Sequence, residues 1–256
     1  MSIYQHFRPE ERGFIDQAIN WKQFVEDTYA PKLTDFLDPR EQQILESVVG
    51  HQNLNISYFG GSDYTERKRA VIYPEYYEVT VEDYNIVLFE VKYPNKFVNL
   101  THPQVLGSLM SIGLKRDKFG DILLSNDRIQ FFCAEEIADY VQLEVQSIGK
   151  ANVELFKQPI SDAIFQQEQW VETMITVSSL RLDVMNATIY QISRQKSQTL
   201  IKSGLVKVNW KLIDSTSFEC GEGDTISVRG HGRSKIFSFD GKSKKEKWKI
   251  LIGKQK

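Results

Sequence analysis

The sequence has few cysteines and no long apolar run. Only two cysteines occur among 256 residues, Cys133 and Cys220, and each stands alone in an apolar or glycine-rich stretch. This pattern excludes a disulfide framework and a Cys-x-x-Cys metal knuckle, and it is typical of buried thiols in a reducing compartment. No stretch approaches the roughly 18 apolar residues that span a bilayer, and the N-terminus MSIYQHFRPEERG is polar, unlike a signal peptide. We therefore expect a cytoplasmic protein without a membrane span.

Histidines and nucleotide-binding signatures are also scarce. The four histidines are His6, His51, His102 and His231. They lie in different predicted units without His-x-x-His or His-Glu-x-x-His spacing, which argues against a zinc site. No Gly-x-x-x-x-Gly-Lys-Ser/Thr loop occurs, and the glycines of YFGGSDYTERK lack the Gly-x-Gly spacing of a dinucleotide site. We predict no metal and no other cofactor.

The formal net charge of −2 conceals an uneven distribution of charge. From residue 178 onward, 16 lysines and arginines stand against 7 aspartates and glutamates, whereas the preceding residues have 16 against 27. A basic C-terminal third predicts contact with a polyanion, because neutralising phosphates and releasing their counterions supplies most non-specific affinity for nucleic acids. A solubilising basic tail at KSKKEKWKILIGKQK is the alternative, and the sequence leaves both interpretations open.

Residues 1–75 are predicted to form a mostly helical domain. Apolar residues recur at helical spacing in EERGFIDQAINWKQFVEDTY, and Asp38 is placed to cap the helix of DPREQQILESVVGHQ. NISYFGG has the pattern of a short strand that ends in a Gly-Gly turn. In the SDYTERKRA segment that follows, we expect a capped turn of helix.

Residues 76–158 follow the order β-α-β-β-α-β. The strands are predicted in YNIVLFEVKY, GDILL, RIQFFCA and ANVELF, and the helices in THPQVLGSLMSIG and AEEIADYVQLEVQSIG. This is the order of the ferredoxin-like plait, in which the helices cover one face of a four-stranded sheet and leave the other face free. The predicted fold class is therefore α+β.

RNA-recognition motifs of this architecture stack bases on aromatic side chains of the free face. The third strand, NDRIQFFCA, offers Phe131 and Phe132, although it lacks the glycine and the alternation of that motif. Because adjacent strand residues point to opposite faces, one of the two phenylalanines is expected in the core and the other is a stacking candidate.

Two basic segments of the N-terminal half are secondary candidates for RNA contact. The loop GLKRDKFGD contains Lys115, Arg116 and Lys118, and TERKRA contains Arg67, Lys68 and Arg69. Such groups are suited to phosphates, which they would contact without reading sequence. A solvated turn and an ion-paired surface helix are the alternatives for the two segments.

A further module is predicted over residues 180–240, after a linker at 159–179 that includes a short strand, TMITVS. SSLRLDVMNATIYQI and RQKSQTLIKSG predict two helices that meet at a bend near Ser193. LVKVNWKLI predicts two strands about a tight turn at Asn209, and GDTISVRGHGR predicts another strand. Residues 241–256 are expected to be a basic tail.

Cationic and amide side chains follow the second helix of this module. Arg194, Gln198 and Lys202 repeat at four-residue spacing, so they share one helix face. A guanidinium, an amide and an ammonium in a row are suited to a phosphate backbone, which arginine can bind with two hydrogen bonds.

The segments RLD, SR with its short helix, LIKSG, VKVN and GDTISVRG occur in the order of the S-four RNA-binding domain, which residues 180–238 resemble. In that family the second helix and the following strand form the RNA face, which implies Arg194, Lys196, Gln198, Lys202, Lys207 and Asn209 here. Trp210 stands where glycine is more usual, so it must adopt an unusual backbone geometry and could add a stacking surface. The further candidate RNA-contact residues are Arg181, Gln195, Trp210, Arg229, Arg233 and Lys235.

The upstream segments YFGGSDYTERKRA and LTHPQVLGSLMSIGLKRDKFGDILLSNDRIQFF resemble the YlmH family, and the resemblance covers nearly the whole chain. These bacterial proteins join an N-terminal helical region, a plait-like domain and an S-four domain. The family is similar to small S-four factors that hold peptidyl-tRNA on obstructed large subunits during quality control of stalled translation. The partners that the resemblance implies are large-subunit ribosomal RNA, tRNA and the ribosome, and we expect a monomer.

Catalysis is the main alternative, because S-four modules are often attached to enzymes. Pseudouridine synthases place a catalytic aspartate in RLD before a Thr-Ser-Gly-like turn, whereas here RLDVMNATIY continues as a helix that begins near Asp183. Asp63, Glu66 and Arg67 are the one set that could act as an acid/base group. We predict a non-catalytic RNA binder. An RNA-modifying enzyme with its site in residues 1–157, or a protein-interaction factor in cell division, are the alternatives.

Overall fold

The computed structural model describes residues 3–50, 53–95, 98–125, 128–165 and 170–255. The chain divides into two compact units, Met1–Gln166 and Gln167–Lys256. Both cysteines are buried, as the sequence predicts. Within the described ranges, no helix is both long and apolar enough to cross a membrane.

The first unit has two helices in the region before the plait and two helices within the plait. Its helices are α1 (Arg12–Thr28), α2 (Pro39–Val49), α3 (His102–Ser111) and α4 (Ala138–Glu144). Its strands are β1 (Lys32–Leu37), β2 (Leu54–Phe59), β3 (Lys68–Pro74), β4 (Ile86–Lys92), β5 (Phe119–Ser125), β6 (Arg128–Ala134), β7 (Ser147–Ile148), β8 (Ala151–Asn152) and β9 (Glu154–Gln158). The second unit has helices α5 (Leu182–Ile189) and α6 (Arg194–Lys202) and strands β10 (Trp170–Val177), β11 (Val206–Val208), β12 (Lys211–Leu212), β13 (Thr225–Val228), β14 (Gly232–Lys242) and β15 (Trp248–Gln255).

The first 75 residues combine a three-stranded antiparallel sheet, in the order β1-β3-β2, with α1 and α2. The predicted start of α2 is confirmed, because the Asp38 carboxylate accepts from the Glu41 N–H at 2.9 Å and Glu41 accepts from the Asp38 N–H. The prediction of a helical turn in SDYTERKRA is wrong for its last three residues, which begin β3 (Lys68–Pro74). Its apolar residues Ala70, Val71 and Ile72 are almost fully buried, which suits a central strand better than a surface helix. This region is therefore mixed rather than mostly helical.

The predicted plait is confirmed. Its sheet has the order β5-β6-β4-β9 and is antiparallel throughout, which is the strand order of a β-α-β-β-α-β plait. Thr101 begins α3 in a capping box with Gln104, whose side chain accepts from the Thr101 N–H at 2.9 Å. Helices α3 and α4 contribute Val105, Leu109 and Val141 to one core with the facing residues of the sheet.

The other face of the plait sheet is not free, contrary to the prediction. Phe131 packs in the core on the helix side, whereas Phe132 packs on the opposite face with Phe36, Leu88 and Ile164. Both phenylalanines are 0% exposed, so neither can stack a base. The chain around Gly61 lies directly against the Phe132 ring.

The second unit is built on a six-stranded antiparallel sheet with the order β10-β15-β14-β13-β11-β12. Helices α5 and α6 cover one face, with Met185 and Ile201 packed against Ile226 and Ile250. The last part of the predicted linker is strand β10, and the predicted basic tail forms the end of β14, a turn and β15. Strand β15 lies between β10 and β14, and its alternate residues Ile250 and Ile252 supply apolar side chains to the core.

We expect Gly61→Ala to lower the free energy of unfolding by about 3 kcal/mol. Gly61 has φ +100°, and an added Cβ would lie 2.1 Å from the nearest atom of the buried Phe132 ring. Gly107→Ala in α3 is the matched control, because a Cβ there meets nothing within 4 Å and alanine is the better helix former. Urea unfolding of both variants measures the difference. Equal stability of the two variants would contradict the packing described for Gly61.

Candidate nucleic-acid interface

Helices α5 and α6 form the bend that the sequence predicts. The Ser193 hydroxyl caps α6 by accepting from the Lys196 N–H at 3.1 Å, and Gly204 follows the helix with φ +67°. Ile201 of α6 packs into the core and is 0% exposed. The opposite side of α6 leaves Gln195, Lys196 and Lys202 exposed to solvent.

A buried carboxylate, Asp183, joins the two helices. Its side chain is fully buried and accepts hydrogen bonds from Arg181 Nε at 3.2 Å, Arg194 Nε at 2.9 Å and Gln198 Nε2 at 2.8 Å. Arg194 and Gln198 are one helical turn apart, so both reach the same carboxylate from α6. Asp183 does lie at the start of α5, as predicted, but the sequence reasoning missed this second role.

The charge of Asp183 is stabilised by these contacts. Burial raises the pKa of the Asp183 carboxyl, but hydrogen bonds from Gln198, Arg181 and Arg194 outweigh that effect and lower the pKa to about 2. The carboxylate is therefore ionised at neutral pH and holds both arginines by charge-assisted hydrogen bonds.

The two arginines keep much of their surface in solvent. The Arg181 side chain is 41% exposed and the Arg194 side chain 56% exposed, although each donates to Asp183 through Nε. One negative charge faces two positive charges, so the group remains cationic. The predicted row of Arg194, Gln198 and Lys202 is thus only partly available. Gln198 is committed to Asp183, while Lys202 is exposed one turn further along α6.

The turn after β11 is built by side-chain hydrogen bonds. Asn209 and Trp210 both have positive φ, at 48° and 65°, as a tight hairpin turn requires. The Asn209 amide donates to Asp224 Oδ1 at 2.7 Å and accepts from the Thr225 N–H at 2.9 Å. Asn209 is 9% exposed and both ends of its amide have partners in the turn, while its contact with RNA stays a prediction.

A second group of candidates lies on the sheet. Val206 and Val208 face the helices, so Lys207 between them points to the other face of the sheet. The register pairs Lys207 with Ser227 and Ser227 with Arg233, which puts Lys207 and Arg233 on that same face.

Three more candidates complete the sheet group. Lys235 is two residues beyond Arg233 on β14 and therefore shares its face. The Arg233 guanidinium lies 5.7 Å from the centre of the Trp210 ring. Arg229 is exposed just after β13. The candidate residues therefore divide into a helix group on α5 and α6 and a sheet group on and beside the strands. They do not form a single row.

Most of the secondary candidates in the N-terminal unit are engaged within the protein. Arg67 is buried and donates to the carbonyls of Phe36 and Phe119. Arg69 is also buried and donates to the Thr34 carbonyl and to Glu136.

Two of the three cations of the loop before β5, Arg116 and Lys118, also have partners within the protein. Arg116 donates to the carbonyls of Phe119 and Gly120, and Lys118 lies 2.6 Å from Asp35 Oδ1 and 3.0 Å from Glu136 Oε1. These side chains join the N-terminal sheet to the plait, and their contact with RNA stays a prediction. Lys115 is exposed and Lys68 is half-buried.

The acid/base group considered in residues 1–157 is not assembled as a site. Arg67 is directed at backbone carbonyls, and the backbone N–H groups of Glu66 and Arg67 donate to the carboxylate of Asp121. Burial raises the pKa of Asp121. Asp63 is exposed in the preceding loop. Across the described ranges, no cluster of histidine, cysteine and carboxylate side chains could hold a metal ion.

Known proteins match both units of the chain. Residues 80–162 match the family model of the YlmH RNA-binding domain, and residues 180–226 match that of the S4 domain. The sequence is 48% identical over 254 residues to "Ribosome-associated protein quality control protein P2" of Bacillus subtilis (strain 168), with 99% of each chain covered. Among solved structures it is similar to "Cell division protein ylmH from Streptococcus pneumoniae", at 35% identity and a TM-score of 0.56, covering 64% of this chain and 100% of that one.

We expect Asp183→Asn to lower the free energy of unfolding by about 2 kcal/mol at neutral pH, because two arginines lose a buried anionic partner. The folded-state pKa of Asp183, about 2, is below its ordinary value of 3.8. The carboxylate therefore stabilises the fold above about pH 4 and loses this effect as the pH falls through about 2. The variant should lack that part of the pH dependence.

Urea unfolding across this pH range, with hydrogen exchange of α5 and α6, measures both effects. Asp214→Asn is the control, because Asp214 is an exposed aspartate of the same unit. The same loss of stability in both variants would show that Asp183 does not hold the bend.

We expect Trp210→Gly to raise the free energy of unfolding by about 1 kcal/mol. Glycine adopts φ +65° without the steric strain of a bulky residue, and this relief exceeds the stabilisation that the Trp210 ring receives from Arg233. Trp210→Phe keeps both the ring and the strained backbone and should leave stability nearly unchanged. Thermal unfolding compares the three proteins, and a less stable glycine variant would refute this account of the turn.

Proposed function

Because this chain belongs to the YlmH family, we propose that it is a non-catalytic RNA-binding protein that acts on the ribosome. It would bind the large subunit and peptidyl-tRNA on stalled complexes and so serve the quality control of translation. We further propose that it works in the cytoplasm as a monomer. The observation that carries this proposal is the Asp183 group, by which we mean Asp183 with Arg181, Arg194 and Gln198. In this group the two arginines are held half-exposed beside the exposed lysines of α6.

The chemistry of this group favours a folded RNA backbone as ligand. A guanidinium that is already anchored through Nε loses little conformational freedom when its other N–H groups meet a phosphate. Lys196 and Lys202 add positive charge on the solvent side of α6. Such contacts recognise the shape and charge of the RNA rather than its bases.

The RNA-modifying alternative finds less support in the arrangement of the acidic residues. Asp183 is fully buried and bonded to three side chains, which leaves no access for a substrate base. In the N-terminal unit, Arg67 is occupied by carbonyl groups and cannot assist Asp63 or Glu66. Incubation with stalled ribosomal complexes, followed by scoring of base modification, tests this alternative. A modified base that depends on Asp63 or Glu66 would overturn the non-catalytic proposal.

A role in cell division is the other alternative, and it rests on the similarity to the cell division protein of Streptococcus pneumoniae. A protein-interaction factor of that kind would not need the cations of α6. Reversing the charge of the α6 lysines separates the two functions, because only the RNA-binding proposal requires these side chains.

We expect Lys196→Glu/Lys202→Glu to reduce binding to large ribosomal subunits at least about tenfold, because both changes replace attraction to phosphate by repulsion. The slope of log affinity against log salt should fall by about 0.9 for each phosphate that the variant no longer neutralises. Co-sedimentation with stalled subunits over a series of salt concentrations measures both quantities.

The matched control is Arg12→Glu/Lys150→Glu, which changes the net charge equally at exposed positions of the N-terminal unit. The control should bind like the unmodified protein. If the α6 variant also co-sediments unchanged, the RNA-binding proposal fails and the protein-interaction alternative gains support.

A further inference from the structure

We propose that the tip of the β14–β15 hairpin is a second phosphate-binding element for RNA, and this inference rests on the proposed function. The lysine hairpin, as we name residues 240–249, lies outside the S4 match at 180–226. Its lysines are not among the RNA-contact residues predicted from the sequence, which treats this segment as part of a tail. The structure instead makes it an ordered part of the sheet.

The base of the lysine hairpin is held by the core of the unit. Strand β15 is hydrogen-bonded on one side to β10 and on the other to β14, and Ile250 and Ile252 are 0% exposed. Near the tip, the Trp248 ring packs on Phe239 at 5.9 Å between ring centres. Lys242 Nζ lies 5.3 Å from the centre of the same tryptophan ring.

The turn at the tip has its own hydrogen bonds. The Ser243 N–H donates to the Lys247 carbonyl at 2.7 Å, and the Glu246 N–H donates to the Ser243 carbonyl at 2.9 Å. The Lys247 N–H also donates to the Ser243 hydroxyl. The backbone that presents the lysines is therefore defined, which lowers the entropy lost on binding.

The charge of the tip is strongly positive. Residues 240–249 contain five lysines and two acidic residues. All five lysines are exposed; they are Lys242, Lys244, Lys245, Lys247 and Lys249. Glu246 pairs with Lys242 at 3.3 Å, while Asp240 accepts from the Ser238 hydroxyl. Lysine ammonium groups at this density attract phosphates without selecting a base sequence.

The lysine hairpin lies at the same end of the unit as the Asp183 group. Trp248 is paired with Val177, the last residue of β10. Arg181 follows only four residues later, so its Cα lies within about 14 Å of the Val177 Cα. A single RNA backbone that contacts Arg181 and Arg194 can therefore continue onto the lysines of the tip.

RNA fits this surface better than a lipid bilayer does. The exposed residues of the turn are lysines with one glutamate, and no apolar side chain of the turn is available for insertion among acyl chains. The aromatic ring next to the turn, Trp248, is only partly exposed and already packed.

The test is Lys244→Gln/Lys245→Gln/Lys247→Gln in the full chain, measured with large ribosomal subunits and with a short RNA duplex of unrelated sequence. We expect the salt slope of binding to fall by about 2 to 3 and the affinity at low salt to fall roughly tenfold on both RNAs. Glu246→Gln should change affinity in the opposite direction, because it removes the negative charge of the turn. Unchanged thermal unfolding of both variants verifies that the fold is intact.

Two results would overturn the inference. An unchanged salt slope in the triple variant, alongside a lowered slope in Lys196→Glu/Lys202→Glu, would remove the lysine hairpin from the RNA surface and leave the proposed function standing. Phosphatidylglycerol vesicles provide the other arm. Loss of vesicle binding in the triple variant without any change in RNA binding would assign the lysine hairpin to a membrane surface instead.

Discussion

The arrangement of the C-terminal unit depends on one buried negative charge. Asp183 receives hydrogen bonds from both sides of the bend between α5 and α6, and a buried carboxylate without such partners would cost several kcal/mol. The helices are therefore held where Arg194 and Gln198 reach it. The same contacts fix the position of two half-exposed guanidinium groups. Core stability and the presentation of positive charge are in this way properties of a single group of side chains.

The net charge of a cluster depends on the ratio of its basic to its acidic side chains, as a comparison with the N-terminal unit shows. Asp183 alone faces Arg181 and Arg194, so a positive charge remains for a ligand. Around Lys118 and Arg69 the acidic partners Asp35 and Glu136 are equal in number, and little net charge remains. Basic residues that look alike in the sequence thus differ in the net charge of their surroundings, because the number of acidic side chains that face them differs.

Local signals in the sequence were sufficient for much of the fold. The cap at Asp38 and the turn at Asn209 depend on neighbours within a few residues, and both were predicted correctly. The strand order of the plait followed from the sequence of elements. The burial of Phe132 was missed because it depends on Phe36 and on the chain at Gly61, which are more than 60 residues away. The three partners of Asp183 are nearer in the chain, but periodicity alone does not show that they share one carboxylate.

The position of β15 links the fold of the C-terminal unit to the order of its synthesis. In the described residues, β10 has no sheet neighbour except β15, yet Trp170 and its partner Gln255 are separated by almost the whole unit. During translation, β10 is synthesised before β15, so its backbone has no sheet partner until that distant strand follows. The bend of α5 and α6 can form earlier, because its contacts are local. A nascent chain would therefore display its arginines before the sheet beneath them is closed.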